Sequence, residues 1–214
     1  MKTVPKVLIG ILAFFGGIIV LLFVYGLFLG AKEATQKPSP QTAGEVQPAA
    51  LPEPSADPQA KVFDGMGFRM SYPADWVFEK PNGYTVVFSG AQGSPSYYAT
   101  VNMQIIATTK AGGKHETADT LIADLREQIM TAQEPNVTDA ADQSFTNTSG
   151  QLVSATGFAA AYTRDNEEFR QLQFASPSAD GNSIYAYSYT APKDFYEEYK
   201  PVAITMIQSL ELIK

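Results

Sequence analysis

His115 is the single histidine of this 214-residue chain, and it stands in KHETAD beside Glu116 and Asp119. An imidazole next to carboxylates is raw material for a zinc hydrolase, but that chemistry wants two imidazoles on one helix face, as in H-E-x-x-H. The second histidine is missing, so the group reads as polar surface ahead of a helix. Carboxylates recur in NEE (166–168) and YEE (196–198). They supply oxygens to a hard cation, or an acid–base pair, only where the fold gathers them in a cleft, and alone they read as solvated charge. The serine stretches FSGAQGSPS and SFTNTSGQ lack the nucleophile elbow G-x-S-x-G, and neither GxGxxG nor a phosphate loop with Gly-Lys-Ser/Thr occurs. There is no cysteine, which removes thiol nucleophiles, thiolate metal sites, disulfides and cysteine lipidation. No catalytic, metal or cofactor site is expected.

The aromatic sets say more. Tyr97 and Tyr98 are adjacent, and Tyr185, Tyr187 and Tyr189 alternate in SIYAYSYT, which puts the last three on one face of a strand. Tyrosine buries area while keeping a polar tip, so such a row suits cross-strand packing beneath a helix, the reading that alternation favours. The functional alternative is a recognition surface formed by Tyr185, Tyr187 and Tyr189. Asn136-Val-Thr138 and Asn147-Thr148-Ser149 match glycan acceptor patterns, which matter only in a eukaryotic secretory pathway.

The elements that must position these residues fall into zones. Val7 to Gly30 carries no charged residue; about 20 apolar residues cross a bilayer core, so 7–30 is expected to be one transmembrane helix. Ala31 and Ala34 imitate a signal-cleavage site, but the apolar run exceeds the roughly 7–15 residues of a signal peptide, which favours an uncleaved anchor. Lys2 and Lys6 place residues 1–6 in the cytoplasm and the remainder outside, with Lys32 and Lys37 weakening the asymmetry. Residues 31–60 hold Pro38, Pro40, Pro48, Pro52, Pro54 and Pro58 and no aromatic, the composition of a disordered spacer. The net charge of −7 lies wholly beyond this spacer, and no Lys/Arg cluster follows Lys61, so nucleic acid is not expected as a partner.

Residues 61–214 read as one α+β domain. In GFRMSY, Phe68, Met70 and Tyr72 alternate with polar residues until Pro73 stops the strand. Trp76 and Phe78 share a face of the next piece, KPNGY turns the chain, and Tyr84, Val86 and Phe88 form the apolar side of the return. Tyr97, Ala99, Val101, Met103 and Ile105 make a dry face opposite Tyr98, Thr100, Asn102 and Gln104. Ala118, Leu121, Ile122, Leu125 and Ile129 then fall at helical spacing, with Thr117 as the cap. A weak strand is expected around Val137 to Phe145, then strands at QLVSATGFAAAY, EFRQLQFA and SIYAYSYT joined by turns at NTSG, Asp165-Asn166 and SADGN. Phe195, Tyr199, Val202, Ala203, Met206 and Leu210 stripe a terminal helix that Pro201 is expected to begin, after a separate short turn. Antiparallel pairing of successive strands follows from the short connections; whether the helices cover one sheet face or both stays open.

This order of elements resembles the PsbP/DcrB-like superfamily, with the local likeness in FRMSYPADWVFEK, NGYTVVFS and the terminal IYAYSYTAP…F…MIQSL. The resemblance implies an antiparallel sheet between helices, an α/β/α-like sandwich, and a binding or assembly module more than an enzyme. The expected protein is therefore a single-pass cell-membrane protein whose extracytoplasmic domain binds an envelope protein partner without catalysis. A small-ligand carrier, or a hydrolase with an undetected carboxylate site, is the alternative.

Overall fold

The computed structural model describes residues 59–140, 145–147 and 149–213. The expected span at 7–30 and nearly all of the spacer lie outside the described residues. Among the described residues no helix is long and apolar enough to cross a membrane.

Seven strands form the main antiparallel sheet: β3 (Trp76–Asn82), β4 (Thr85–Gly90), β5 (Thr100–Ala107), β6 (Gln133–Ala140), β9 (Thr156–Arg164), β10 (Glu167–Pro177) and β11 (Ser183–Pro192), in the order β3-β4-β5-β11-β10-β9-β6. A second sheet joins β1 (Lys61–Gly65), β2 (Phe68–Tyr72) and β12 (Glu211–Leu212) in the order β1-β2-β12, and β7 (Phe145–Thr146) pairs with β8 (Leu152–Val153). The helices are α1 (Ala118–Met130) and α2 (Lys193–Gln208). This is a sheet-dominated antiparallel α+β fold with two helices.

One face of the large sheet carries Val86, Phe88, Val101, Met103, Phe174, Tyr185, Tyr187 and Tyr189. Two elements cover it: α2, through Tyr196, Ala203, Met206 and Ile207, and the small sheet, through Phe63, Phe68, Met70 and Tyr72. The rings interlock across the layers, Phe63 lying edge-on to Phe88 at 5.7 Å and Phe68 edge-on to Tyr185 at 6.4 Å. The opposite face buries Phe158, Ala160, Tyr162, Phe169 and Ala175, and α1 packs over β6, β9 and β10 with Ala118, Leu121 and Ile122 buried. The helices therefore take opposite faces, and the question left open by periodicity resolves to three layers.

Local chemistry explains several boundaries. Thr117 caps α1 by accepting from the Thr120 N–H at 3.2 Å, while the Thr120 hydroxyl accepts from the Thr117 N–H at 3.1 Å. Asp165 and Asn166, both at positive φ (53° and 65°), make the two-residue turn from β9 to β10. Met66 and Gly67 turn β1 into β2, and a Cβ on Gly67 would stand 2.6 Å from the Tyr185 hydroxyl.

Four expectations are corrected. GFRMSY and the Trp76 segment do not share a sheet: β2 pairs with β1 and β12, and the chain changes layer at Pro73 before β3 begins. Tyr84 sits in the β3–β4 turn and is 70% exposed, leaving Val86 and Phe88 as the buried side of the return. The weak strand expected around Val137 to Phe145 begins earlier, β6 spanning Gln133–Ala140 with Pro135 inside it; β6 is an edge strand with irregular register between Gln133 and Asn136, where a missing N–H is tolerated. Pro201 lies inside a continuous α2 and not at its start. Its ring faces solvent, and both halves of the helix have apolar cover, Tyr196 before it and Ala203, Met206 and Ile207 after it, which holds the helix together across the break.

Candidate functional site

The row Tyr185, Tyr187 and Tyr189 is interior. The Tyr187 hydroxyl donates to the Ala203 carbonyl at 2.5 Å and the Tyr189 hydroxyl to the Tyr196 carbonyl at 2.8 Å, both beneath α2. Tyr185 donates to the Gly67 carbonyl at 3.1 Å under the β1–β2 turn. Burial pushes all three phenols above the ordinary tyrosine range. Their polar tips are spent on holding covering elements down, so the row is core and offers no face to a partner or to a small ligand. Tyr98 lies on a short 3-10 turn (Pro95–Tyr98) and stacks on Phe195 of α2 at 5.1 Å, with Tyr97 edge-on to it at 6.1 Å.

The candidate chemical groups are accounted for structurally. His115 Nε2 and Lys114 Nζ both approach Asp124 Oδ2 of α1, at 3.6 and 2.7 Å, which ties the preceding loop to the helix. NEE and YEE are brought side by side by Arg170, which reaches Glu168 at 3.6 Å and Glu197 at 3.2 Å; Lys193 adds a 2.7 Å pair to Glu168. This is an exposed network joining β10 to α2. Such surface pairs contribute little individually. Ser94 donates to the Ala91 carbonyl at 2.7 Å and closes its own turn. Among the described residues no group of three or more histidine and acidic side chains is placed to hold a metal ion.

Asn147, in one of the two glycan acceptor patterns, is buried and acts as a hub. Its Oδ1 accepts from the Ser149 N–H, the Ser149 hydroxyl and the Gln151 N–H at 3.2, 2.8 and 2.8 Å, while Nδ2 donates to the Leu210 carbonyl at 2.8 Å. The pattern here is the signature of a turn that also holds the chain after α2. Asn136 is exposed on β6.

A different surface stands out once strand pairing is known. α1 packs over β6, β9 and β10, and among the described residues no helix packs over the β3, β4, β5 and β11 part of that face. The registers run two rungs across that face: Val77, Ser89, Thr100, Thr190, Gln171 and Glu79, Val87, Asn102, Ser188, Gln173. Ser89, Thr100, Asn102 and Ser188 are half-buried, Gln171 and Gln173 are buried toward α1, and Val77 at the rim is 46% exposed. The amides chain inward, Gln171 Nε2 donating to Gln173 Oε1 at 3.0 Å. Glu79, on the edge strand, is the one charged member of the two rungs.

A sheet face packed under a helix is apolar, and one left to water typically carries long charged side chains. This face is neither: apart from Glu79 on the edge strand it is uncharged and rich in hydroxyl and amide groups. Side chains of this kind lose little entropy on being covered, and the centres of protein interfaces are depleted in charge. Sequence reasoning named Tyr98, Thr100, Asn102 and Gln104 as the wet side of this strand; Tyr98 instead ends the 3-10 turn before β5, and the other three lie on the strand. It missed Ser89, Ser188, Thr190, Gln171 and Gln173 as their neighbours, because the contact between β5 and β11 joins strands some eighty residues apart.

No protein-family model matches the chain, and no curated protein is similar to it. Similar solved structures include cyanobacterial PsbP (CyanoP) from Synechocystis, at 13% identity over 73% of this chain and 94% of that one, TM-score 0.48. LpqN of Mycobacterium tuberculosis, described as involved in cell envelope biogenesis, is similar at 12% identity over 73% of this chain and 91% of that one, TM-score 0.49. A Bacteroides thetaiotaomicron structure matches at 16% identity over 73% of this chain, TM-score 0.46; the chain spans about half of its length, 49%.

Proposed function

We propose that this protein is a membrane-anchored, extracytoplasmic binding or assembly module of PsbP/DcrB-like type, non-catalytic, which engages an envelope protein through the neutral polar face of its large sheet. The observation that carries the reading is that face: two rungs on β3, β4, β5 and β11, rich in hydroxyl and amide side chains and uncharged except for Glu79 at the rim, over which no helix packs among the described residues. The apolar run at 7–30 and the proline-rich spacer support the anchored arrangement. The PsbP/DcrB-like assignment draws its support from the order of the elements and from FRMSYPADWVFEK.

The chain has no cysteine, so single cysteines bearing a short photocrosslinker report cleanly. Placed at Ser89, Asn102 or Ser188 in the intact membrane protein, they are expected to capture one discrete protein, and a crosslinker at Met130 on the end of α1 is not. Asn102→Lys is expected to abolish capture from Ser89 and Ser188. Equal capture from Met130, or capture indifferent to the lysine, overturns the assignment of this face.

A further inference from the structure

α1 lies over β10, β9 and β6, so it is centred on β9, three strands from β5. On the other side of β5 the sheet ends at β3, two strands away. Among the described residues this face therefore has a bare half four strands wide, β3, β4, β5 and β11, beside a half raised by one helix layer. That step is self-complementary. When a second copy is turned over about an axis running along the strands between β4 and β5, its bare half lies on the first, and its helix falls two strand widths, about 10 Å, beyond β3. Sheets packed face to face lie about 10 Å apart and a helix is about as thick, so the bare halves close without either helix meeting a sheet face.

The chemistry points to the same occupant. Copies of a chain of net charge −7 repel one another unless they meet where charge is absent, and the only charge on these rungs is Glu79. In this packing each Glu79 falls opposite the other copy's Ser188, whose hydroxyl donates to a carboxylate, and the two Glu79 side chains stay three strand widths, about 14 Å, apart. Hydroxyls and side-chain amides both donate and accept, so a face made of them can satisfy its own copy. Asn102 shows the need: its Oδ1 is buried, and among the described residues nothing donates to it. β5 lies half a strand width from the axis, so the two Asn102 side chains come about 5 Å apart along the sheet, where each amide N–H can turn to the other's oxygen. With a third rung from Asn82 through Thr85 and Gln104 to Ala186, the footprint is about 400 Å² per copy, half that of a standard interface. Such a pair is weak in free solution and forms where an anchor holds the copies in one plane at high local concentration.

We propose that the partner of this face is a second copy of the chain, packed on it about a twofold axis between β4 and β5. This names the partner in the reading above and rests on that reading and its anchor. The full chain, which has no cysteine, is reconstituted in phosphatidylcholine vesicles and treated with a short bis-maleimide. Asn102→Cys is expected to give a product of twice the chain's mass. Glu79→Cys and Ser188→Cys are each expected to give roughly a tenth of that alone and to recover it when mixed, because each lies opposite the other and about 14 Å from its own copy. Glu79 is exposed and Asn102 half-buried, so random encounter would give the reverse order. Ser89→Cys is expected to link to itself as Asn102→Cys does. Adding Asn102→Lys, its fold checked by circular dichroism, is expected to cut that product roughly tenfold, since it sets two like charges about one strand width apart. Equal yield from all the single variants, no doubled product from any, or indifference to the lysine overturns the proposal. In native membranes the photocrosslinker at Ser89 is expected to capture the chain itself. Capture of a different protein overturns the homodimer and leaves the face in its role; no capture defeats both.

Discussion

Single side chains in this protein do their work by tying covering elements to the sheet. Asn147 is the clearest case, because one amide closes its own turn and holds the Leu210 carbonyl after α2. Asn147→Ala leaves a buried carbonyl without its donor and opens the turn, and a loss of about 3 kcal/mol is expected in denaturant unfolding; a change within the error of that measurement would show that water replaces the amide. The buried phenols make a second test, through pH. Burial raises the pKa of Tyr187, Tyr189 and Tyr196, since the neutral form is the one the fold accepts. Their contribution to stability is complete below the unfolded value of about 10 and is lost as pH climbs through the raised folded values. Phenolate absorbance from these residues is therefore expected to rise together with the loss of near-ultraviolet circular dichroism, above about pH 10. Ionisation of these three phenols, resolved from exposed tyrosines such as Tyr84 by ring-labelled tyrosine NMR, while the tertiary signal persists would contradict the burial that the hydrogen bonds describe.

At the level of elements, α2 carries an evident weakness. Pro201 has no N–H for the Glu197 carbonyl one turn earlier, and that carbonyl lies on the exposed side. Pro201→Ala restores the bond; proline's interior penalty of about 3 kcal/mol, less its restriction of the unfolded chain, gives an expected gain of about 2 kcal/mol, read as a higher denaturant midpoint at unchanged slope. A lower midpoint would mean that the proline ring, and not the missing hydrogen bond, decides how this helix fits the sheet. The same proline shows why sequence reasoning misplaced this helix: local propensity reports the cost of the break but not the tertiary cover on both sides of it. Where local and tertiary signals agree, the elements were legible, as in the cap at Thr117 and the alternation of Val101 and Met103 in β5. The strands β1 and β12 were not, because β1 buries only Phe63 and β12 is two residues long, too short for any period. The neutral face was half legible: alternation names which side of β5 is wet, but only the pairing of β5 with β11 assembles the rungs.

Taken whole, the molecule couples a region whose composition cannot pack to one that packs on three layers. That contrast predicts where the chain is cut. Trypsin acts on segments that can enter its site and does not cut before proline, so in the proline-rich stretch Lys32, and not Lys37 ahead of Pro38, is expected to be cleaved first. Lys61 is also a potential site just beyond, but it is already part of β1, paired across from Tyr72 and bonded to the Trp76 carbonyl. Brief digestion of the protein in native membranes is therefore expected to release a fragment beginning at Glu33 and containing β1 through β12. The released fragment should unfold in one cooperative transition, because α2, the small sheet and the large sheet share one aromatic core. Early cleavage after Lys61 would mean that the start of β1 leaves its pairing with β2, and would count against the docking of that strand on the shared core. Release of the whole chain by mild washing, without any cleavage, would count against the anchor itself.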